Sequence, residues 1–203
     1  MYEELADEGL VIISVALDQS GEDIRPFIEE AKPAHPSLID TEHVLADLYG
    51  MVNIPTAVWI DEDGNIVRPN EPVFGSDMFK DFHGMDTDIH KNELRAWVRE
   101  GKLPFSPEEI RARQMLPTRD EQLARTEFTL AWHLHGAGHA DAAERHFVRA
   151  GELSPNDFMV RRGSMPIRGL DPMGEPFFEL YEEWQARGRP YYQARDRKEA
   201  LGE

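Results

Sequence analysis

Two short apolar runs constrain this chain more than any other feature. Leu10–Leu17 (LVIISVAL) is rich in β-branched residues and nearly continuous in apolar character. Thr56–Ile60 (TAVWI) repeats that character just after Pro55. Strands that read this way are covered on both faces, so a parallel-type sheet flanked by helices is expected. The residues between the runs are punctuated as helices. Asp23 can cap a helix through Ala31, with Ile24, Phe27, Ile28 and Ala31 on one face, until Pro33 and Pro36 break it. Ser37–Ile39 reads as a short extended piece. A helix from Thr41 turns Val44, Leu45 and Leu48 inward and ends at Gly50. Asp61-Glu62-Asp63-Gly64-Asn65 is a tight connection into a return strand at Ile66–Val67. Residues 2–8 read as a helix end closed by Gly9.

Beyond this block the pattern becomes helical. Residues 69–87 are irregular. Asp86 to Glu100 spaces Ile89, Leu94, Trp97 and Val98 as a helix, ended by Gly101, and Pro104 and Pro107 mark a linker. Helices follow at 107–116, 120–135 and 141–152, the last two paired around Gly136-Ala137-Gly138. Residues 156–175 read as irregular, and Phe177–Ala186 as a final amphipathic helix. Trp59, Trp97, Trp132 and Trp184 all fall on apolar faces, where core packing is the default reading.

Composition removes several functions. Among 203 residues there is no cysteine, which excludes disulfides, thiolate metal sites and a cysteine nucleophile. The chain has 22 basic and 39 acidic residues, a net charge of −17. Residues 1–90 hold 20 acids and 4 bases, a net of −16, and the rest is nearly neutral. Such a front half repels phosphate backbones, so nucleic-acid binding is not expected. No apolar stretch approaches the ~20 residues that span a bilayer, so no membrane segment is expected. Met1-Tyr2-Glu3-Glu4-Leu5 lacks the basic and apolar regions of a signal peptide, and the chain as written is expected in the cytoplasm.

The run Tyr49-Gly50-Met51-Val52-Asn53-Ile54-Pro55-Thr56, followed by an apolar strand and Asp61-Glu62-Asp63-Gly64, resembles a known family. It is similar to the second half of a thioredoxin-like redoxin domain of the membrane-tethered thiol reductase (TlpA/ResA-like) type. The LVIISVALD strand, the Ile24–Ala31 helix and the DEDGNIV hairpin fall in the family's order, so the likeness covers roughly residues 2–101. The resemblance implies a cis Ile54–Pro55 bond and a binding groove at Ile54, Pro55 and Thr56. It also implies a membrane-tethered or periplasmic setting.

The departure from the family is chemical. Its first half carries a strand and a helix bearing Cys-x-x-Cys, and this chain reads as starting inside the end of that helix. Thiol–disulfide exchange needs a thiolate, so dithiol reductase and cysteine peroxidase activities are excluded as written. In the family's sheet that strand lies between the equivalents of Leu10–Leu17 and Thr56–Ile60. Without it, each run is left with an unpaired edge, and bare edges recruit other chains. Direct pairing of the two runs, self-association and marginal folding are the three outcomes. Self-association into a homo-oligomer through the exposed strand edges is the expected one.

Residues 124–155 resemble a single tetratricopeptide (TPR) repeat. Leu130, Ala131, Leu134, Gly138, Ala143, Phe147, Ala150 and Pro155 fall at its spacing, with Leu130 and Phe147 filling the seam. Stable arrays usually need about three repeats, so a packed helical hairpin is the reading.

Histidines are the strongest bases and ligands available near neutral pH. His83, Asp86, Asp88 and His90 place two imidazoles and two carboxylates within eight residues, a set that could hold zinc or manganese. The competing account is that Asp86, Thr87 or Asp88 caps the next helix. His133, His135 and His139 form a second zinc-like run, although on one helix His133 and His135 point about 200° apart. Asp61–Asn65 lacks the later bidentate glutamate of a calcium loop. No G-x-S-x-G elbow and no phosphate-binding glycine motif occurs, and no catalytic residue is assigned.

The sequence therefore predicts an α/β fold: an incomplete thioredoxin-like sheet with flanking helices over residues 1–103, lacking its first βα unit. A small all-helical region over 104–203 follows, with the TPR-like hairpin at 124–155. The function expected is that of a thiol-free, redoxin-like binding or assembly module, or the remainder of a longer thiol oxidoreductase. The alternative is a metal-dependent hydrolase using a His/Asp site, with a divalent metal as its one conceivable cofactor.

Overall fold

The computed structural model describes residues 1–17, 21–72, 86–114, 116–188 and 190. Among the described residues the chain is mixed helix and strand, with the strands in two small sheets of two strands each. It divides into two compact units. Among the described residues, the first comprises Met1–Tyr49 and Ala57–Gln114, and the second comprises Gly50–Thr56 with the residues after Gln114.

The first unit opens with helix α1 (Tyr2–Leu5), which tightens into a 3₁₀ turn at Ala6–Glu8. Gly9 closes it at φ 98°, a left-handed conformation that glycine adopts without a Cβ clash. Strand β1 (Ser14–Ala16) is followed by α2 (Gly21–Ala31), β2 (Ser37–Ile39) and α3 (Val44–Leu48). β1 and β2 pair in parallel, Ser14 opposite Ser37, Val15 opposite Leu38 and Ala16 opposite Ile39. The two serine hydroxyls of that register are bonded to each other at 2.8 Å. Asp40 caps α3, accepting from the backbone N–H of Val44 at 3.0 Å and of Leu45 at 2.7 Å.

Strand β3 (Thr56–Ile60) turns at Asp61–Asn65 into β4 (Ile66–Pro72). The Asp61 carboxylate accepts from the N–H groups of Asp63 and Asn65, which makes this segment a hairpin turn. Helix α4 (Thr87–Glu100) starts at an Asp86 cap and ends at Gly101 with φ 65°. Helix α5 (Pro107–Arg113) begins with a reciprocal capping box between Ser106 and Glu109. The core of this unit is Leu5, Trp59, Val67 and Leu94, with Leu10, Trp97 and Val98 packed against it. Arg68 is buried beside that core. Its guanidinium bonds Glu71 at 2.7 Å and Glu93 at 2.5 Å, and it lies over the rings of Trp59 and Phe105 at 4.6 and 5.5 Å.

Two expectations for this unit are corrected. The apolar run Leu10–Leu17 is not a long strand covered on both faces: three of its residues enter a ladder, and Val11 is 74% exposed. A strand extends only as far as its partner, and β2 offers three residues. Nor do α2 and α3 turn their apolar faces into a core, since Phe27 is 71% and Leu48 80% exposed. Among the described residues between Ala6 and Gly50, Ala46 is the one buried hydrophobic side chain. β1 and β3 do not close up on each other, because each belongs to its own two-stranded sheet.

The second unit is built on a helical hairpin, α6 (Arg119–Gly136) and α7 (Ala140–Leu153). Thr118 and Glu121 form a capping box at its start, and Gly138 turns the chain at φ 82°. Ala131, Ala143 and Ala150 let the helices approach, and Phe128 meets Phe147 edge-on at 5.6 Å. Leu130, expected in the seam, is 41% exposed, and Phe128 occupies that role two residues earlier. Residues 156–175, expected to be irregular, contain α8 (Phe158–Arg161) and a 3₁₀ turn at Pro166–Arg168. A four-residue helix is too short to show periodicity. It forms because Asp157 caps it and Phe158, Met159 and Val160 are buried. Helix α9 (Glu175–Ala186) completes a second core of Phe158, Met165, Phe177, Leu180 and Trp184.

Removing the Arg68 fork separates one buried cation from two carboxylates and two ring faces. Arg68→Ala is expected to destabilise the protein by about 3–5 kcal/mol, whereas Arg149→Ala, in an exposed pair with Glu152, changes it by less than ~1 kcal/mol. Urea titrations of the two variants at one pH and salt concentration provide the comparison, and equal losses would contradict it.

Candidate functional site

The segment that the resemblance marks as a groove is a defined structure. The Ile54–Pro55 bond is cis. Ile54 and Pro55 are exposed and Thr56 begins β3. The segment belongs to the helical unit and is bonded into it at two backbone positions. The Met159 N–H donates to the Val52 carbonyl at 3.1 Å, and an Arg125 Nη2–H donates to the Met51 carbonyl.

Arg125 reaches that carbonyl because α6 carries it beside Asp157. Its Nε and Nη2 lie 3.0 and 2.9 Å from the Asp157 carboxylate. Asp157 is 2% exposed and also accepts from the Val160 N–H at 3.2 Å. Burial pushes the Asp157 carboxyl up to about 6, against the opposing pull of Arg125 and of the backbone N–H groups of Val160 and Met159. One buried ion pair thus ties α6 to the start of α8 and holds residue 51.

The first metal candidate is only partly described. His83 lies outside the described residues. Asp86 is the α4 cap, accepting from the Asp88 N–H at 3.0 Å. Asp88 is exposed one residue into the helix, where a carboxylate suits the macrodipole. His90 is half-buried, and its Nδ1 is enclosed without a hydrogen-bond partner among the described residues. Its ring meets Trp59 edge-on at 5.3 Å, and Trp59 stacks on Trp97 at 5.1 Å. Burial, with the nearby Arg68 cation adding to it, depresses the His90 imidazole to about 3. A histidine held neutral in this way is a packing group of the Trp59 core.

The second candidate set spans the hairpin bend. His133 is exposed and His135 half-exposed in the last turn of α6, while His139 is the exposed residue before α7. Among the described residues, no group of three or more histidine, aspartate or glutamate side chains is gathered as a metal ion requires. No described helix is long and apolar enough to cross a membrane.

The sequence reading missed Arg125, Asp157 and Arg68. Each is a single charged residue in a stretch that matches no motif. Asp157 alone carried a usable sign, a cap residue before the apolar Phe158-Met159-Val160.

His90 and Asp157 make opposite pH demands on stability. Above pH ~6.5 His90 is neutral in both states. Below it the unfolded chain takes a proton that the fold refuses down to about 3, so this group removes stability at up to ~1.4 kcal/mol per pH unit. Asp157 has its folded value raised, so its contribution is full below about 4 and is lost as pH rises through about 6. Between pH 7 and 4.5, His90→Leu is therefore expected to lose less stability than the parent chain, and Asp157→Asn to lose more. Urea midpoints at the two pH values measure both, and changes of the same sign would refute the assignment.

Comparisons of the chain with family models, with curated proteins and with solved structures find no match.

Proposed function

We propose that this protein is a thiol-free, redoxin-like binding or assembly module. In this reading its first unit is a thioredoxin-like sheet lacking its first βα unit. The second is a helical region whose α6–α7 hairpin is TPR-like, and dithiol redox chemistry is absent. The supporting observation is the division of the strands into two separate ladders, β1–β2 and β3–β4, with apolar residues around the first left in solvent. The cis Ile54–Pro55 bond and the exposed Ile54 and Pro55 agree with the same reading.

The occupant proposed for the open edges is a second copy of the chain. Every copy carries the same β1–β2 ladder, to which no third strand is bonded among the described residues, so one two-fold contact would extend it in both partners at once. Apolar burial supplies the driving force at roughly 25 cal/mol per Å² removed from water. Val11 and Ile13 before β1, Leu38 on β2, and Phe27 and Leu48 on the adjoining helices are the side chains with area to bury.

Light scattering on the full chain at micromolar concentration is expected to give a mass above that of one chain. Val15→Pro, which bars further pairing along β1, should return it to the mass of a single chain. A parent chain that is monomeric at every concentration and salt condition tested would overturn the self-association reading.

A further inference from the structure

Three arginines in α8 and the turns after it differ in what they face. Arg161 meets the Glu183 carboxylate at 2.6 Å, and Arg168 meets Glu144 at 2.7 Å. Arg162, between them, has no carboxylate within ion-pairing distance among the described residues. Its Nε–H donates to the Pro172 carbonyl at 3.0 Å, and its Nη2–H donates to the Met173 sulfur at 2.9 Å. The guanidinium lies over the Phe177 ring at 4.8 Å. Burial holds Arg162 below the usual arginine range, with no anion to offset the loss of water. A thioether sulfur is a weak acceptor, so this half-buried cation has a far poorer partner than its neighbours have. Met173 is 55% exposed, the one exposed methionine among the described residues, whereas Met51, Met159 and Met165 are buried.

We propose that Met173 is a reversible oxidation site whose sulfoxide is captured by Arg162, fastening the loop 169–174 to the end of α8. The oxidant is a peroxide. A sulfur lone pair attacks one peroxide oxygen, so that an S–O bond forms as the O–O bond breaks. The sulfur loses two electrons, and the other oxygen leaves with both protons as water. One sulfur lone pair faces Arg162, and the exposed side chain leaves the other open to attack from solvent. The product oxygen is the negative end of the S–O dipole, a strong acceptor where the thioether was a weak one. Rotation about the Cγ–Sδ bond brings that oxygen before Nη2, and a bond from a charged donor is about twice as strong as one between neutral groups. Oxidation of a core methionine disrupts packing. At Met173 the new polarity arises in water and beside a cation, so the effect on the loop has the opposite sign. The loop is otherwise held by local bonds, from the Leu170 N–H to the Met165 carbonyl at 2.8 Å and from the Met173 N–H to the Asp171 carboxylate at 2.9 Å. Methionine sulfoxide reductases return the thioether.

Hydrogen–deuterium exchange of the full chain before and after hydrogen peroxide tests this, with peptide mass spectrometry locating the sulfoxide. The backbone of residues 170–174 is expected to exchange about threefold more slowly, or slower still, once Met173 is oxidised. Treatment with a methionine sulfoxide reductase should restore the original rate. Met173→Leu, exposed to peroxide in parallel, separates this site from the other methionines and should show no slowing. Met173→Gln, which places an amide oxygen near the position of the sulfoxide oxygen, should show the slowing without peroxide. Arg162→Leu should still form the sulfoxide at Met173 but lose the slowing, with circular dichroism reporting its fold. Met173→Gln keeps Arg162 in place and decides the question if Arg162→Leu does not fold. Unchanged or faster exchange in oxidised parent chain or in Met173→Gln would overturn the capture. The same slowing in Arg162→Leu or in peroxide-treated Met173→Leu would also overturn it, because the bond would then lie elsewhere. Absence of sulfoxide at Met173 under conditions that oxidise free methionine would remove the site itself.

Discussion

Backbone hydrogen bonding between strands is the constraint on which the first unit depends. A strand cannot satisfy its own N–H and C=O groups; only a neighbour can, and it does so residue by residue. β1 has a neighbour for three residues, and its ladder is three residues long although the apolar run around it is eight. The rest of that run has no sheet to lie in. Val11 and Ile13 are consequently exposed, as are the apolar faces of the helices that would cover such a sheet. The core of the unit lies instead where the chain completes its own pairing, on the β3–β4 hairpin under α1 and α4.

The helical unit is not subject to that constraint. Helices satisfy their backbones internally, and two joined by a tight bend need only a compatible seam. Alanines at 131, 143 and 150 with phenylalanines at 128 and 147 supply one. Among the described residues, Arg125 and Asp157 form an ion pair inside this unit, and its position is informative. A buried pair is weak support for stability because desolvation offsets much of the attraction. This pair also binds the Met51 carbonyl and the first N–H groups of α8, so it fixes how three separate stretches of chain meet.

These features decide what chemistry the described residues offer. No thiol exists in the sequence. The His90 imidazole is held neutral against Trp59, and the carboxylates of Asp86 and Asp88 act as a helix cap and a first-turn residue. The surfaces differ more from those of an ordinary domain than any interior group does. Exposed apolar side chains and a ladder of only two strands coincide within residues 11–48 among the described residues.

Much of the local structure was legible in the residues. The β3 run, the hairpin turn at Asp61–Asn65, the α4 helix with its Asp86 and Gly101 ends, and the α6–α7 hairpin all follow from short-range signals. Caps, turns and amphipathic periods act over a few residues, so a sequence specifies them directly. It did not specify which apolar faces would find cover. β1 shortened, α2 and α3 kept their apolar side chains in water, and Leu130 gave its place to Phe128, because burial depends on what lies opposite in space. The Arg125–Asp157 and Arg68–Glu93 pairs, separated by 32 and 25 positions, were likewise decided only by tertiary structure. Charge pairing across such distances leaves no period in the chain, since it is the fold that brings the partners within reach.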